Sequence, residues 1–158
     1  MLREKARYYY FEQGQNCAEG LLNAANDVYD LGLKNEDLKM FAGFGTGFGT
    51  GLTCASLSAS VAILGLLFGD KDKEEFHKLR DEFVTIFTQK LGGTECEKLA
   101  AKYKTDANRC STAVEMTADC LEDYINRLQG KKFADAEGCT LSAEDIKRVK
   151  GLGFLHHK

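Results

Sequence analysis

Apolar residues recur along this chain at three- and four-residue spacing, and most of these runs open on a capping side chain and close on glycine. That combination predicts helices. Residues 2–13 read as a first helix ending at Gly14, with Tyr8, Tyr9, Tyr10 and Phe11 crowding its second half. Asn16 with Glu19 forms a capping-box pattern for a second helix, whose stripe of Cys17, Leu21, Ala24/Ala25 and Val28 is stopped by Gly32. Asn35 starts a short helix with Leu38, Met40 and Phe41.

A run of alternating glycines, GFGTGFGTG over residues 43–51, comes next, and Thr53 is placed to cap a helix running to about Phe68. That helix is apolar or small almost all round, which suits the middle of a bundle. Asp72 with Glu75 opens an amphipathic helix with stripe Phe76, Leu79, Phe83, Ile86/Phe87 and Leu91, stopped at Gly92-Gly93. Thr94 with Glu97 marks a short helix to about Tyr103, and Asn108 a long one with stripe Ala113/Val114, Thr117, Leu121, Tyr124/Ile125 and Leu128, ending at Gly130. Ser142 with Asp145 marks a last short helix. The expectation is an all-α, single-domain bundle of six to eight helices over residues 1–158, with a glycine-rich loop before a buried central helix.

Composition narrows the function. The chain has no proline, which removes the main helix breaker, and 158 residues suffice for a core without disulfides or metal. Net charge is −3, so the basic footprint of a nucleic-acid binder is missing and no nucleic-acid partner is expected. The Arg7–Phe11 run therefore reads as a core or subunit-contact face, which leaves a homodimer open. Met40 to Gly69 carries no charge over thirty residues, but thirteen of these are Gly, Ser or Thr. It reads as the glycine loop and buried helix and not as a membrane span. With no secretion signal, the expected location is cytoplasmic and reducing.

In such a setting cysteines point to metal or redox chemistry more than to structural disulfides. There are six, and no CxxC pair among them. Cys17, Cys54, Cys96 and Cys110 each fall in the first turn of a different predicted helix. Unpaired N–H groups and the helix dipole favour negative charge there, so these four are candidate thiolates for catalysis or for holding a metal, with at least one expected to titrate below an ordinary thiol. Cys120 falls mid-helix and Cys139 in a loop, and both read as structural. Gly45, Gly47 and Gly49 allow close backbone approach, to a neighbouring helix or to a cofactor beside Cys54. An anion-binding role for that loop is weaker, because its period matches no phosphate-loop pattern and no lysine stands near. The rival to redox chemistry is a non-enzymatic structural or interaction module with cysteines filling its core. His77 reads as a surface residue and His156-His157 as a tail.

From Tyr10 to Cys110 the chain resembles a redox-active family named for its cysteine pattern, C-GCAxxG-C-C. The resemblance rests on Gly14-Gln15-Asn16-Cys17-Ala18-Glu19, on the glycine loop leading through Leu52-Thr53-Cys54 to Leu64-Gly65-Leu66, and on Cys96 and Cys110. It implies a small helical protein whose four characteristic cysteines are Cys17, Cys54, Cys96 and Cys110. It also implies an unidentified redox partner or electron carrier, with an iron–sulfur cluster or another thiolate-bound metal as a cofactor option. Where the family has Cys-Gly-Ala-x-x-Gly, this chain has Cys54-Ala55-Ser56-Leu57-Ser58-Ala59.

Overall fold

The computed structural model describes residues 1–130. Their helices are α1 (Leu2–Arg7), a wide π turn (Tyr8–Glu12), α2 (Cys17–Tyr29), α3 (Asn35–Leu38) continued by a 3₁₀ turn (Lys39–Phe41), a kinked π turn in the glycine loop (Gly47–Gly51), α4 (Ala55–Phe68), α5 (Lys73–Leu91), α6 (Cys96–Tyr103) and α7 (Ser111–Leu128). Among the described residues no strand forms, and extended pairing is limited to two isolated bridges, Thr53 with Glu95 and Thr105 with Arg109. The all-α expectation holds. The Ser142–Asp145 helix lies outside the described residues, as do Cys139 and His156-His157.

α4 sits among α2, α5 and α7, while α1 lies across α2 and α7. Small residues make the middle position workable: Ala59 and Ser60 are wholly buried, with Ile63 and Leu64 beside them. The far end of α4 is not enclosed, since Leu66 is 52 % exposed. No described helix is long and apolar enough to cross a membrane. The outer helices bury one stripe each, as their spacing predicts: Leu21 and Ala25 on α2, Phe83 and Phe87 on α5, Val114, Leu121 and Ile125 on α7. Burying each large side chain contributes roughly 1.5–3 kcal/mol. Polar ties set the register. Glu115 on α7 is buried and accepts from Arg3 at 2.9 Å and Arg7 at 3.1 Å, which fastens α1 to α7.

Two helix C-terminal ends differ from the sequence pattern. The first helix does not run straight to Gln13 but widens at Tyr8, where Gln13 N–H reaches the Tyr8 carbonyl at 3.0 Å. α2 ends at Tyr29 because Asp30 turns left-handed (φ 51°), two residues before Gly32.

Phe83 is fully buried and packs on Tyr124 with ring centroids 5.6 Å apart. Phe83→Ala should lower unfolding free energy by about 3–5 kcal/mol in urea titrations. Lys78→Ala, which breaks only an exposed pair with Glu74, should change it by less than about 0.5 kcal/mol.

Candidate functional site

Each of the four cysteines singled out by its helix-start position stands at a helix start. Cys17 is the first residue of α2, behind Asn16. The Asn16 side chain accepts from Ala18 N–H at 2.9 Å and Glu19 N–H at 3.0 Å, and Glu19 accepts from Asn16 N–H at 3.0 Å. That capping box was written in the sequence. The Asn16 amide also donates to the Phe41 and Ala42 carbonyls, at 3.0 and 3.1 Å, so the start of α2 holds the approach to the glycine loop.

The other three caps differ from expectation. Cys54 and Cys110 are themselves the N-cap residues of α4 and α7, and Cys96 is the first residue of α6, behind Glu95. None of these three helices has a side-chain cap bond. Thr53 is instead extended opposite Glu95 in the antiparallel bridge, across which Cys54 N–H reaches the Thr94 carbonyl (2.8 Å) and Cys96 N–H the Leu52 carbonyl (2.5 Å). Asn108 sits in the turn closed by Thr105 and Arg109. The bridge sets Cys54 and Cys96 diagonally across from one another, and so brings the starts of α4 and α6 together.

The glycine loop closes over this junction. Gly47 (φ +61°) lies so near α6 that an added Cβ would meet Cys96 Cβ at 2.7 Å and Leu52 N at 2.8 Å. A Cβ on Gly45 would meet Asn16 Cβ at 3.0 Å, whereas Gly49 has nothing within 4 Å. Close backbone approach is therefore made toward Asn16 and Cys96, residues beside two of the helix starts.

The four thiols converge. Every one of the six pairs among Cys17, Cys54, Cys96 and Cys110 is near enough for one thiolate's charge to act on the other. All four are free thiols; Cys54 is buried and the other three partly so. Burial, followed by repulsion from Cys54, Cys110 and Cys96, pushes Cys17 up to about 12. Burial likewise raises Cys96 and Cys110, against the opposing charge of Lys104 on both and of Arg109 on Cys110. The expectation of acidic helix-start thiols is thus reversed at Cys17, Cys96 and Cys110. A dipole that acts over one turn does not outweigh withdrawal from water beside three other ionisable sulfurs.

Cys54 ends a buried hydroxyl chain. Its Sγ is 3.1 Å from Ser56 Oγ, which is 3.1 Å from Thr117 Oγ1, which donates to the Ala113 carbonyl at 2.7 Å. Thr117 has one proton and spends it on Ala113. Ser56 must then donate to Thr117, and the Cys54 S–H to Ser56. This chain stitches the start of α4 to α7. Metal ligation, the other expectation for these residues, finds no geometric support: among the described residues no three His, Cys, Asp or Glu side chains are grouped to hold one ion.

Cys120 is buried on α7, about 15 Å along the helix from Cys110 at 1.5 Å per residue, and His77 is half-buried on α5. The sequence pattern missed Tyr10, Ser56, Thr117, Lys104 and Arg109. Ser56 lies two residues from Cys54 and Arg109 adjoins Cys110, whereas Tyr10, Thr117 and Lys104 reach the thiols through tertiary packing. A protein-family profile described as "Putative redox-active protein (C_GCAxxG_C_C)" matches residues 15–124, a span that contains all four thiols. No curated protein and no solved structure matches the sequence.

Two measurements test this geometry. Gly47→Ala should destabilise by more than about 1 kcal/mol, from its positive φ and the contacts above. Gly43→Ala, with nothing within 4 Å, should be near neutral in the same urea titration. The second concerns pH. Because the folded value of Cys17 exceeds the ordinary thiol value, the folded state holds its proton more tightly. That contribution is complete below about pH 8.5 and is lost as pH rises toward about 12. Cys17→Ser should therefore flatten the alkaline fall in urea midpoint; an unchanged pH slope would contradict the assigned burial.

Proposed function

The chain belongs to the C_GCAxxG_C_C family, and from that premise we propose that its clustered thiols carry out two-electron thiol–disulfide exchange, with Cys110 facing the partner and Cys17 resolving behind it. The observation that carries this reading is the hydroxyl between them: Tyr10 accepts the Cys110 N–H at 2.9 Å and lies close enough to act on the thiols of both Cys17 and Cys110. Cys110 also has the most favourable charge, with Lys104 and Arg109 both acting on it. The other pair is less suited. Cys54 and Cys96 are diagonal across an antiparallel bridge, a relation that spaces Cα atoms by about 7–8 Å, at or beyond the roughly 7 Å limit for a disulfide. Cys54 is moreover engaged with Ser56.

The exchange runs as follows. Cys110, as thiolate, attacks one sulfur of a partner disulfide; the partner S–S bond breaks, a mixed disulfide forms, and one partner sulfur leaves as thiolate. Cys17 gives up its proton and attacks the Cys110 sulfur. The mixed disulfide breaks, the Cys17–Cys110 bond forms, and the second partner sulfur leaves. Two protein thiols lose two electrons and two protons, and the partner gains them as two thiols. Since the reduced form is not stabilised by an acidic thiol, as it is in strongly oxidising centres, the couple should lie on the reducing side. The partner is accordingly a protein or small-molecule disulfide, and Cys96 and Cys54 line the centre without exchanging first.

The test is equilibration in dithiothreitol buffers of graded poise, with thiols counted by mass spectrometry. A single two-electron transition below about −200 mV is expected. It should disappear in Cys17→Ser and Cys110→Ser and persist in Cys120→Ser. Loss of the transition in none of these variants, or a protein isolated anaerobically with stoichiometric metal and a thiolate-to-metal absorption band, would overturn the reading.

A further inference from the structure

Tyr10 is 3 % exposed and is held from every side. It rides on the π turn, and Gly20 lets that turn cross α2: a Cβ on Gly20 would meet Tyr10 N, Cα and Cβ at 3.0, 3.1 and 3.1 Å. Arg109, in left-handed conformation (φ 52°), places its guanidinium 4.4 Å from the Tyr10 ring centroid and donates to the Tyr10 carbonyl at 3.1 Å. The hydroxyl oxygen accepts Cys110 N–H at 2.9 Å.

A phenol has one proton. With Cys110 N–H on its oxygen, Tyr10 still has that proton to donate, and the sulfurs close enough for the hydroxyl to act on are those of Cys17 and Cys110. Burial, then the charge of Cys17, raises the Tyr10 phenol far above its ordinary value, so it keeps its proton throughout the range where thiols exchange. The other ionisable groups facing this spot are Cys54 from α4, Cys96 from α6, Lys104 just past α6 and Arg109 just before α7.

We propose that Tyr10 is a catalytic residue of the centre, its hydroxyl donating to whichever of Cys17 and Cys110 carries the negative charge as their disulfide forms or opens. The inference rests on the thiol–disulfide reading above. When an outside thiolate attacks Cys110, the Cys17–Cys110 bond breaks, a new S–S bond forms to Cys110, and the electron pair leaves on Cys17. That sulfur is the more buried of the two and would otherwise become an anion without water. A donor already in place lowers the cost of that charge with no rearrangement. The same donor serves Cys110 when Cys110 is the attacking thiolate.

The experiment compares wild type with Tyr10→Phe, which keeps the ring and its stacking on Arg109. Dithiothreitol should open the Cys17–Cys110 disulfide about tenfold or more slowly in Tyr10→Phe, the loss expected for one hydrogen bond to a charged sulfur. In the reduced proteins, the alkylation half-points of Cys17 and Cys110 should move to higher pH while that of Cys96 stays. Equal opening rates, or a shift of Cys96 as large as the other two, would overturn the assignment. Should Tyr10→Phe fold poorly, 3,5-difluorotyrosine at position 10 keeps the hydroxyl and strengthens it as a donor. It should speed opening, and no change or a slowing would count against the proposal. A wild-type protein that forms no Cys17–Cys110 bond would remove the thiol–disulfide reading, and this inference with it. A bond that forms but opens independently of position 10 would remove this inference alone.

Discussion

Like charges do not share a small, poorly hydrated volume, and four thiols brought to one such volume must divide their protons unequally. This constraint organises the site. Cys17, shielded from water and beside three other sulfurs, holds its proton to about 12, while Cys96 and Cys110 face the cations that oppose the same trend. Once one sulfur ionises, its charge works against ionisation of the next. A two-electron oxidation removes the repulsion between the two sulfurs it joins, because a disulfide carries no charge. The arrangement is therefore suited to taking up and releasing electrons in pairs.

Bringing four sulfurs together requires four helix starts at one place, and the bundle meets this with small residues at the contacts. Gly47 lets the loop reach Cys96, and Gly20 lets the Tyr10 backbone cross α2. Ala59 and Ser60 keep α4 slim where it is enclosed. Hydrogen bonds then fix positions that packing leaves open. Asn16 joins α2 to the glycine loop, the Thr53–Glu95 bridge joins α4 to α6, and Ser56 with Thr117 joins α4 to α7. Cysteine occupies N-cap positions of α4 and α7 where an oxygen side chain would be the stronger cap.

The helices and the four cysteines were legible in sequence because both signals are local. A stripe at 3.6-residue period and a capping residue within three positions carry their own geometry, and Asn16–Glu19 formed as written. Thr53, Thr94 and Asn108 misled by one or two residues, since the bridge and the Thr105–Arg109 turn claimed their backbone for extended or turn conformations. The sense of the thiol shifts was not legible. It depends on burial and on which sulfurs meet, and both are properties of the packed bundle. Tyr10 was hidden for the same reason: its hydroxyl partner Cys110 lies 100 residues away, and in sequence it is one of three consecutive tyrosines with nothing to single it out.

On this reading Cys17 and Cys110 form the working pair. Oxidising the reduced protein with one equivalent of a two-electron oxidant, trapping free thiols at low pH and mapping the linkage by mass spectrometry tests it directly. An intramolecular Cys17–Cys110 disulfide is expected, with Cys54, Cys96 and Cys120 still alkylated as thiols. A first linkage between Cys54 and Cys96, or an even scatter of linkages among the four, would contradict it.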